Sequence, residues 1–136
     1  MKAVFIDTSA LIAMCNKRDQ FHQQAIRLRK QLIRSKRTHI TTSAVLMEFG
    51  NAFSPIPLRP TAIRLIETIT ISRFWKVVTI NDDLFDRGLA KFKHITDKNW
   101  SLIDCISIIV AEELDISEVF TNDHHFEQAG FKILMK

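Results

Sequence analysis

Val4 to Ala13 reads VFIDTSALIA, and no other stretch limits the possible folds as tightly. Val4, Phe5 and Ile6 are β-branched or aromatic, the composition of a short strand buried on both faces. Asp7 ends that strand, and Thr8 and Ser9 open an apolar segment whose length and composition suit a helix. In open parallel sheets ligands bind at the carboxyl ends of strands, so a carboxylate at such a turn is a candidate site residue. Asp, Thr and Ser also cap helix N-termini, and capping is the simpler account of Asp7 taken alone. The choice between the two depends on whether other carboxylates converge on it.

Strand and helix patterns alternate along the rest of the chain. Phe21, Ala25, Leu28 and Leu32 form one stripe of an amphipathic helix whose other faces carry Arg27, Arg29, Lys30, Arg34, Lys36 and Arg37. A solvated face is the simpler reading of those bases, and contact with phosphate or a partner is the other. His39 to Thr41 suits a second strand. Thr42 or Ser43 can cap the following helix, whose apolar face is Val45, Leu46, Phe49, Ala52 and Phe53. Ser54 to Pro60 holds all three prolines and reads as a surface loop. Helical spacing returns from Arg59 to Phe74 through Ile63, Leu65, Ile66 and Ile69, followed by a strand over Lys76 to Thr79. Glu118 to Thr121 and Phe131 to Leu134 supply the last two strands, with a short HHFEQA helix between them that Gly130 ends. Such alternation predicts a three-layer α/β domain with a central, mainly parallel sheet flanked by helices.

Four acids stand out against this framework. Asp7 and Asp123 each end a strand at the mouth of a helix. Glu48 lies on the flank of an apolar helix face, between Ala44 and Ala52 in an i, i+4 row, where small neighbours leave room for a ligand. Asp104 sits in SLIDCISIIVAEEL, a segment apolar nearly all round, where a charge is costly unless paired or metal-bound. Ser101 with Asp104 also matches a capping box. By contrast, Asn81, Asp82, Asp83 and Asp86 crowd a helix start, where cap preference and the helix dipole account for them. Asp97 reads either as a loop residue or as an auxiliary ligand. His124 and His125 are adjacent and diverge on a helix, which argues against a paired histidine metal site.

A parallel sheet with right-handed connections brings the strand ends to one edge, so Asp7, Glu48, Asp104 and Asp123 can meet there. Two carboxylates 4 Å apart repel by about 4 kcal/mol at an effective dielectric of 20, so four together need cations or protons. Oxygen ligands without a His or Cys cluster favour Mg²⁺ or Mn²⁺ over zinc. Such ions activate water for in-line cleavage of phosphodiesters, which makes metal-dependent nuclease chemistry the leading expectation.

The composition agrees with this expectation without requiring it. The chain has 136 residues, enough for one domain, and a formal charge of +4 from 19 bases and 15 acids. With four acids in one site, 11 remain to face 19 bases elsewhere, a basic rim suited to a polyanion. No apolar run approaches a membrane span, and Met1 leads straight into a strand, so a cytoplasmic protein is expected. Cys15 and Cys105 lack metal-ligand spacing and read as buried free thiols.

FIDTSALIA, the helix containing Glu48, DKNWSLIDCISI and TNDHHFEQAGF together resemble the PIN domain ribonucleases, above all stand-alone VapC-type toxins of bacterial and archaeal toxin-antitoxin systems. The resemblance covers essentially the whole chain and implies a single PIN-like nuclease domain over residues 1–136. It implies an acidic metal site of Asp7, Glu48, Asp104 and Asp123, with Ser9 and Thr121 as polar supports. It further implies Mg²⁺ or Mn²⁺ as cofactor, RNA as substrate, a homodimer, and a cognate antitoxin whose tail occupies the groove. Ile103 stands where relatives often carry Thr, so a supporting hydroxyl is missing there. Three other readings compete with this one. A haloacid-dehalogenase-like phosphatase needs a second Asp where Ser9 stands, and a phosphoacceptor receiver domain needs adjacent acids where Thr8 follows Asp7. The third is a non-catalytic PIN-fold protein that binds RNA or regulates, which the retained carboxylates oppose.

Overall fold

The first strand, β1 (Val4–Ile6), is fully buried along its length and forms the middle of a five-stranded sheet. The computed structural model describes residues 2–136. In chain order the elements are β1, α1 (Thr8–Cys15), α2 (His22–Arg34), β2 (His39–Thr42), α3 (Ser43–Ala52), a 3₁₀ turn (Ile56–Leu58), α4 (Arg59–Ile71) and β3 (Trp75–Val78). They continue with α5 (Asp82–His94), α6 (Leu102–Glu113), β4 (Glu118–Phe120), α7 (His124–Gln128) and β5 (Lys132–Ile133). All described pairings are parallel, in the order β3-β2-β1-β4-β5.

The chain builds outward from β1 to β3 and then crosses back to lay β4 on the other side of β1. That reversal places a topological switch point between β1 and β4. Helix α1 packs on α2 and α3, and α3 packs on α4; α5 packs on α6, and α6 on α7. With right-handed crossovers these two groups cover opposite faces of the sheet, giving the expected three layers. The core between them holds Phe5, Leu11, Phe49, Phe120 and Phe126, with the Phe5 and Phe126 rings 6.4 Å apart.

Local differences from the sequence reading have simple causes. The proline segment is not wholly loop, since Ile56–Leu58 makes a 3₁₀ turn and α4 begins at Arg59 with Pro60 in its first turn, where a missing N–H costs nothing. Helix α4 ends at Ile71, and Ile63 faces outward at 52% exposure, because Ala62 and Ile69 carry the buried stripe. Helix α2 ends at Arg34, so Lys36 and Arg37 lie beyond it rather than on its faces, and Arg37 is not a free surface charge. It pairs with Glu118 at 2.7 Å and donates to the carbonyls of Lys2 and Ala3, tying the end of α2 to β1 and β4. Among the described residues no helix is long and apolar enough to cross a membrane.

Candidate metal centre

The register that aligns Ile6 with Phe120 puts the ends of β1 and β4 side by side. The Asp7 amide extends the pairing by donating to the Phe120 carbonyl at 3.1 Å. Asp7 therefore adjoins Thr121, and Asp123 follows two residues later at the start of α7. Glu48 arrives from α3 on one side and Asp104 from the first turn of α6 on the other. Asp7, Glu48, Asp104 and Asp123 line one cleft of about 660 Å³, together with Thr8, Ser9, Asn122 and His125.

Each carboxylate is held by one oxygen. Asp7 occupies the N-cap position of α1, yet its side chain makes no capping bond; Oδ2 instead accepts the Thr121 hydroxyl at 2.9 Å. Thr8 donates its hydroxyl to Glu48 Oε1. Asp104 Oδ2 accepts the Ser101 amide at 3.0 Å, completing the expected capping box, and lies 2.8 Å from His125 Nδ1. Asp123 Oδ1 accepts the His125 amide at 2.9 Å. The second oxygens of Glu48, Asp104 and Asp123 have no hydrogen-bonding partner among the described residues. Side chains fixed at one oxygen and open at the other are preorganised acceptors for a cation.

The supports resemblance assigned to Ser9 and Thr121 fall in one hydroxyl chain. The Thr121 proton goes to Asp7, so Ser9 Oγ, 2.9 Å away, donates to Thr121 Oγ1. Thr121 Oγ1 also accepts the Asp123 amide at 3.0 Å, and Ser9 Oγ accepts the Asn122 amide at 3.1 Å. This chain locks the β4 end to α1 and fixes Asp7 relative to Asp123.

Burial is the dominant force on Asp7, which is 6% exposed. Desolvation pushes its pKa from 3.8 up to about 7, against the opposing hydrogen bonds from Thr121 and the Thr8 amide, with the nearby charges of Asp104 and Asp123 adding to the rise. A carboxylate so placed is ionised cheaply only beside a cation. The donor set of hard oxygens on fixed side chains fits a divalent ion.

Thr8 and His125 are cleft residues that sequence reasoning did not single out. Thr8 was masked by its suitability as a cap. In sequence His125 stands out only as half of a pair, and the pair does diverge: His124 is exposed, 2.6 Å from Glu127, while His125 turns toward Asp104 and Asp123. The useful signal was its place two residues after Asp123, where an aspartate at a helix start accepts the amide two positions on. Asp97 lies outside the cleft, with its carboxylate 3.1 Å from Lys98, which holds it below the usual carboxylate range. Asn81 caps α5 through Leu84, and Asp83 pairs with Arg87 at 2.9 Å, as structural acids should. Ile103 lines a neighbouring apolar recess of about 460 Å³ with Ala44, Met47 and Ile106, which meets the acidic cleft at Glu48.

The sequence matches the PIN domain over residues 4–132. The chain belongs to the PIN domain family. Two solved structures show how far this PIN domain fold extends. The crystal structure of Mycobacterium tuberculosis VapC20, described as a sarcin-ricin loop cleaving toxin, superposes with a TM-score of 0.84 at 24% identity, covering 98% of this chain and 100% of that one. FitAcB from Neisseria gonorrhoeae gives a TM-score of 0.66 at 12% identity, covering 96% of each chain. At such identities the likeness is one of fold. No curated protein matched the sequence.

Proposed function

We propose that this PIN domain is a single-domain endoribonuclease dependent on Mg²⁺ or Mn²⁺, and that it is the toxin of a toxin-antitoxin pair acting in the cytoplasm. The observation that carries the reading is the meeting of Asp7, Glu48, Asp104 and Asp123, from four separate parts of the chain, in one cleft with three of the four presenting a free oxygen. VapC20, a sarcin-ricin loop cleaving toxin by its description, has the same fold over its whole length and supports the assignment of RNA as substrate.

Asp7, Asp104 and Asp123 would hold the ion between the ends of β1 and β4 and the start of α6. When bound, the ion supplies activation of a water molecule and stabilisation of charge on the phosphate oxygens. Thr121 and Ser9 keep Asp7 and Asp123 in register. Glu48, steadied at Oε1 by Thr8, has Oε2 free to orient the attacking water or to hold a second ion. Attack at phosphorus breaks the bond to the 3′ oxygen, leaving a 5′-phosphate and a 3′-hydroxyl. The bases outside the cleft attract the polyanion and favour encounter at low salt.

The direct test is cleavage of a labelled RNA with Mg²⁺ or Mn²⁺, followed by end-group analysis. Activity should vanish in chelator and in Asp104→Asn. Equal cleavage in chelator overturns the metal-dependent scheme, and binding of RNA without cleavage in either ion favours a non-catalytic PIN protein. For the biological role, induced expression should arrest growth and co-expression of the neighbouring gene product should relieve it. Light scattering of the purified chain tests the expected homodimer.

A further inference from the structure

We propose that His125 supplies a nitrogen ligand to the ion held by Asp104 and Asp123, and that the site consequently takes manganese in preference to magnesium. This inference rests on the metal-dependent reading above and adds to it the identity of a ligand and of the ion.

His125 Nδ1 lies 2.8 Å from Asp104 Oδ2 and 3.3 Å from Asp123 Oδ1. The three ligand atoms available from these side chains lie within 4.8 Å of one another. An octahedral ion with ligands at about 2.1 Å sets adjacent donors about 3 Å apart and opposite donors about 4.2 Å apart. The two separations from Nδ1, 2.8 and 3.3 Å, bracket the adjacent-donor distance. The two oxygens are already held by the backbone: the Ser101 amide bonds Asp104 Oδ2 and the His125 amide bonds Asp123 Oδ1. Each uses one lone pair for that bond and keeps another for an ion.

In its Nδ1–H tautomer the ring donates into the gap between the carboxylates; as the Nε2–H tautomer it presents the Nδ1 lone pair to an ion there. The neighbouring His124 ring is turned away, to Glu127 on the surface.

Ligand chemistry then decides the metal. An all-oxygen set suits magnesium, which holds strict octahedral geometry and keeps its waters, whereas an imidazole nitrogen shifts preference toward transition ions. The remaining donors are hard carboxylates in an open cleft, an environment for a six-coordinate ion such as manganese rather than for tetrahedral zinc.

The test uses the full chain with Mn²⁺ alone and Mg²⁺ alone as probes. Pulsed electron paramagnetic resonance of the Mn²⁺-loaded protein should show ¹⁴N modulation from a directly bound imidazole, and His125→Ala should abolish it. In titrations followed by thermal shift, the same variant should lose at least about tenfold in Mn²⁺ affinity, the lower end of the cost of losing even an orienting partner, while Mg²⁺ affinity stays nearly constant. His125→Gln serves if the alanine variant does not fold in chelator, and the same two results are expected of it. Bound Mn²⁺ without nitrogen modulation, or an equal loss for both ions, overturns the proposal and makes His125 an orienting donor only. If the wild-type chain binds neither ion, the metal-dependent function itself falls and this inference with it.

Discussion

The Thr121 hydroxyl donates to Asp7 Oδ2 at 2.9 Å across the seam between β4 and β1, and both residues are buried. The same oxygen atom of Thr121 accepts the Asp123 amide, so one side chain serves two of the four acids. Thr121→Val keeps the shape and removes all of these bonds. It should cost about 1–3 kcal/mol of stability, the range for orphaning buried polar partners, and raise the Asp7 pKa further because a stabilising donor to the carboxylate is gone. Urea unfolding checks the first effect. An upward shift in the pH at which RNA cleavage sets in checks the second.

Asp7 itself should work against stability in the absence of a cation. Its pKa of about 7 in the folded chain lies above its ordinary 3.8, so the folded state binds the proton more tightly than the unfolded state. Asp7 therefore favours folding most below about pH 3.8, and that advantage is lost as pH rises toward 7. Asp7→Asn removes the dependence while its amide oxygen can still accept the Thr121 hydroxyl. In chelator at pH 8 the variant should be more stable than wild type by at most a few kcal/mol, at roughly 1.4 kcal/mol per pH unit separating the two pKa values. Near pH 3.5 the difference should disappear. Added Mn²⁺ or Mg²⁺ should raise the melting temperature of wild type and leave the variant nearly unmoved. A variant less stable than wild type at pH 8 in chelator would refute the account.

Asp104 closes a capping box and faces the cleft, and two substitutions separate these duties. Asp104→Asn retains an oxygen for the Ser101 amide, so its stability should stay close to wild type while cleavage is lost. Asp104→Ala loses both, and should unfold more easily by about 0.5–2 kcal/mol, the usual scale of a lost helix cap. Thermal melts in chelator set beside single-turnover cleavage distinguish the two. Full cleavage by the asparagine variant would remove Asp104 from the proposed site.

What could be read in advance follows from which physical signal each residue leaves in sequence. Strand β1 and the α6 segment are apolar beyond what a surface element needs, so their burial, and the exceptional positions of Asp7 and Asp104 beside them, were legible. The sheet order was not, because strand neighbours depend on which helices cover which face, and β4 gives no local sign that it pairs with β1. Strand ends slipped by a residue or two, as at Trp75 and Lys132, where pairing rather than composition sets the boundary. Thr8 and His125 escaped because their partners, Glu48 and Asp104, are far away in the chain. A hydroxyl or imidazole that bonds a distant carboxylate has no periodicity to reveal it. Arg37 reads in sequence as one more base of the amphipathic segment for the same reason, its partner Glu118 lying on β4.

Gly88, in the middle of α5, packs against the helix that carries Asp104. A Cβ added there would sit 2.4 Å from Ile106 Cγ1, far inside van der Waals contact, and Ile106 lies two residues after Asp104 on α6. Alanine in a helix is intrinsically favoured over glycine by roughly 0.5–1 kcal/mol, but relieving this clash requires a core isoleucine or a helix to move, at a typical cost of about 1–3 kcal/mol. Gly88→Ala should therefore be net destabilising, and a displaced α6 should carry Asp104 off its position and weaken ion binding as well. Ile106→Ala removes the clashing atom while leaving a cavity, so the double variant should be more stable than the sum of the two single losses predicts. A double-mutant cycle by urea unfolding measures that coupling, and additive effects would show that α5 and α6 do not meet at this pair.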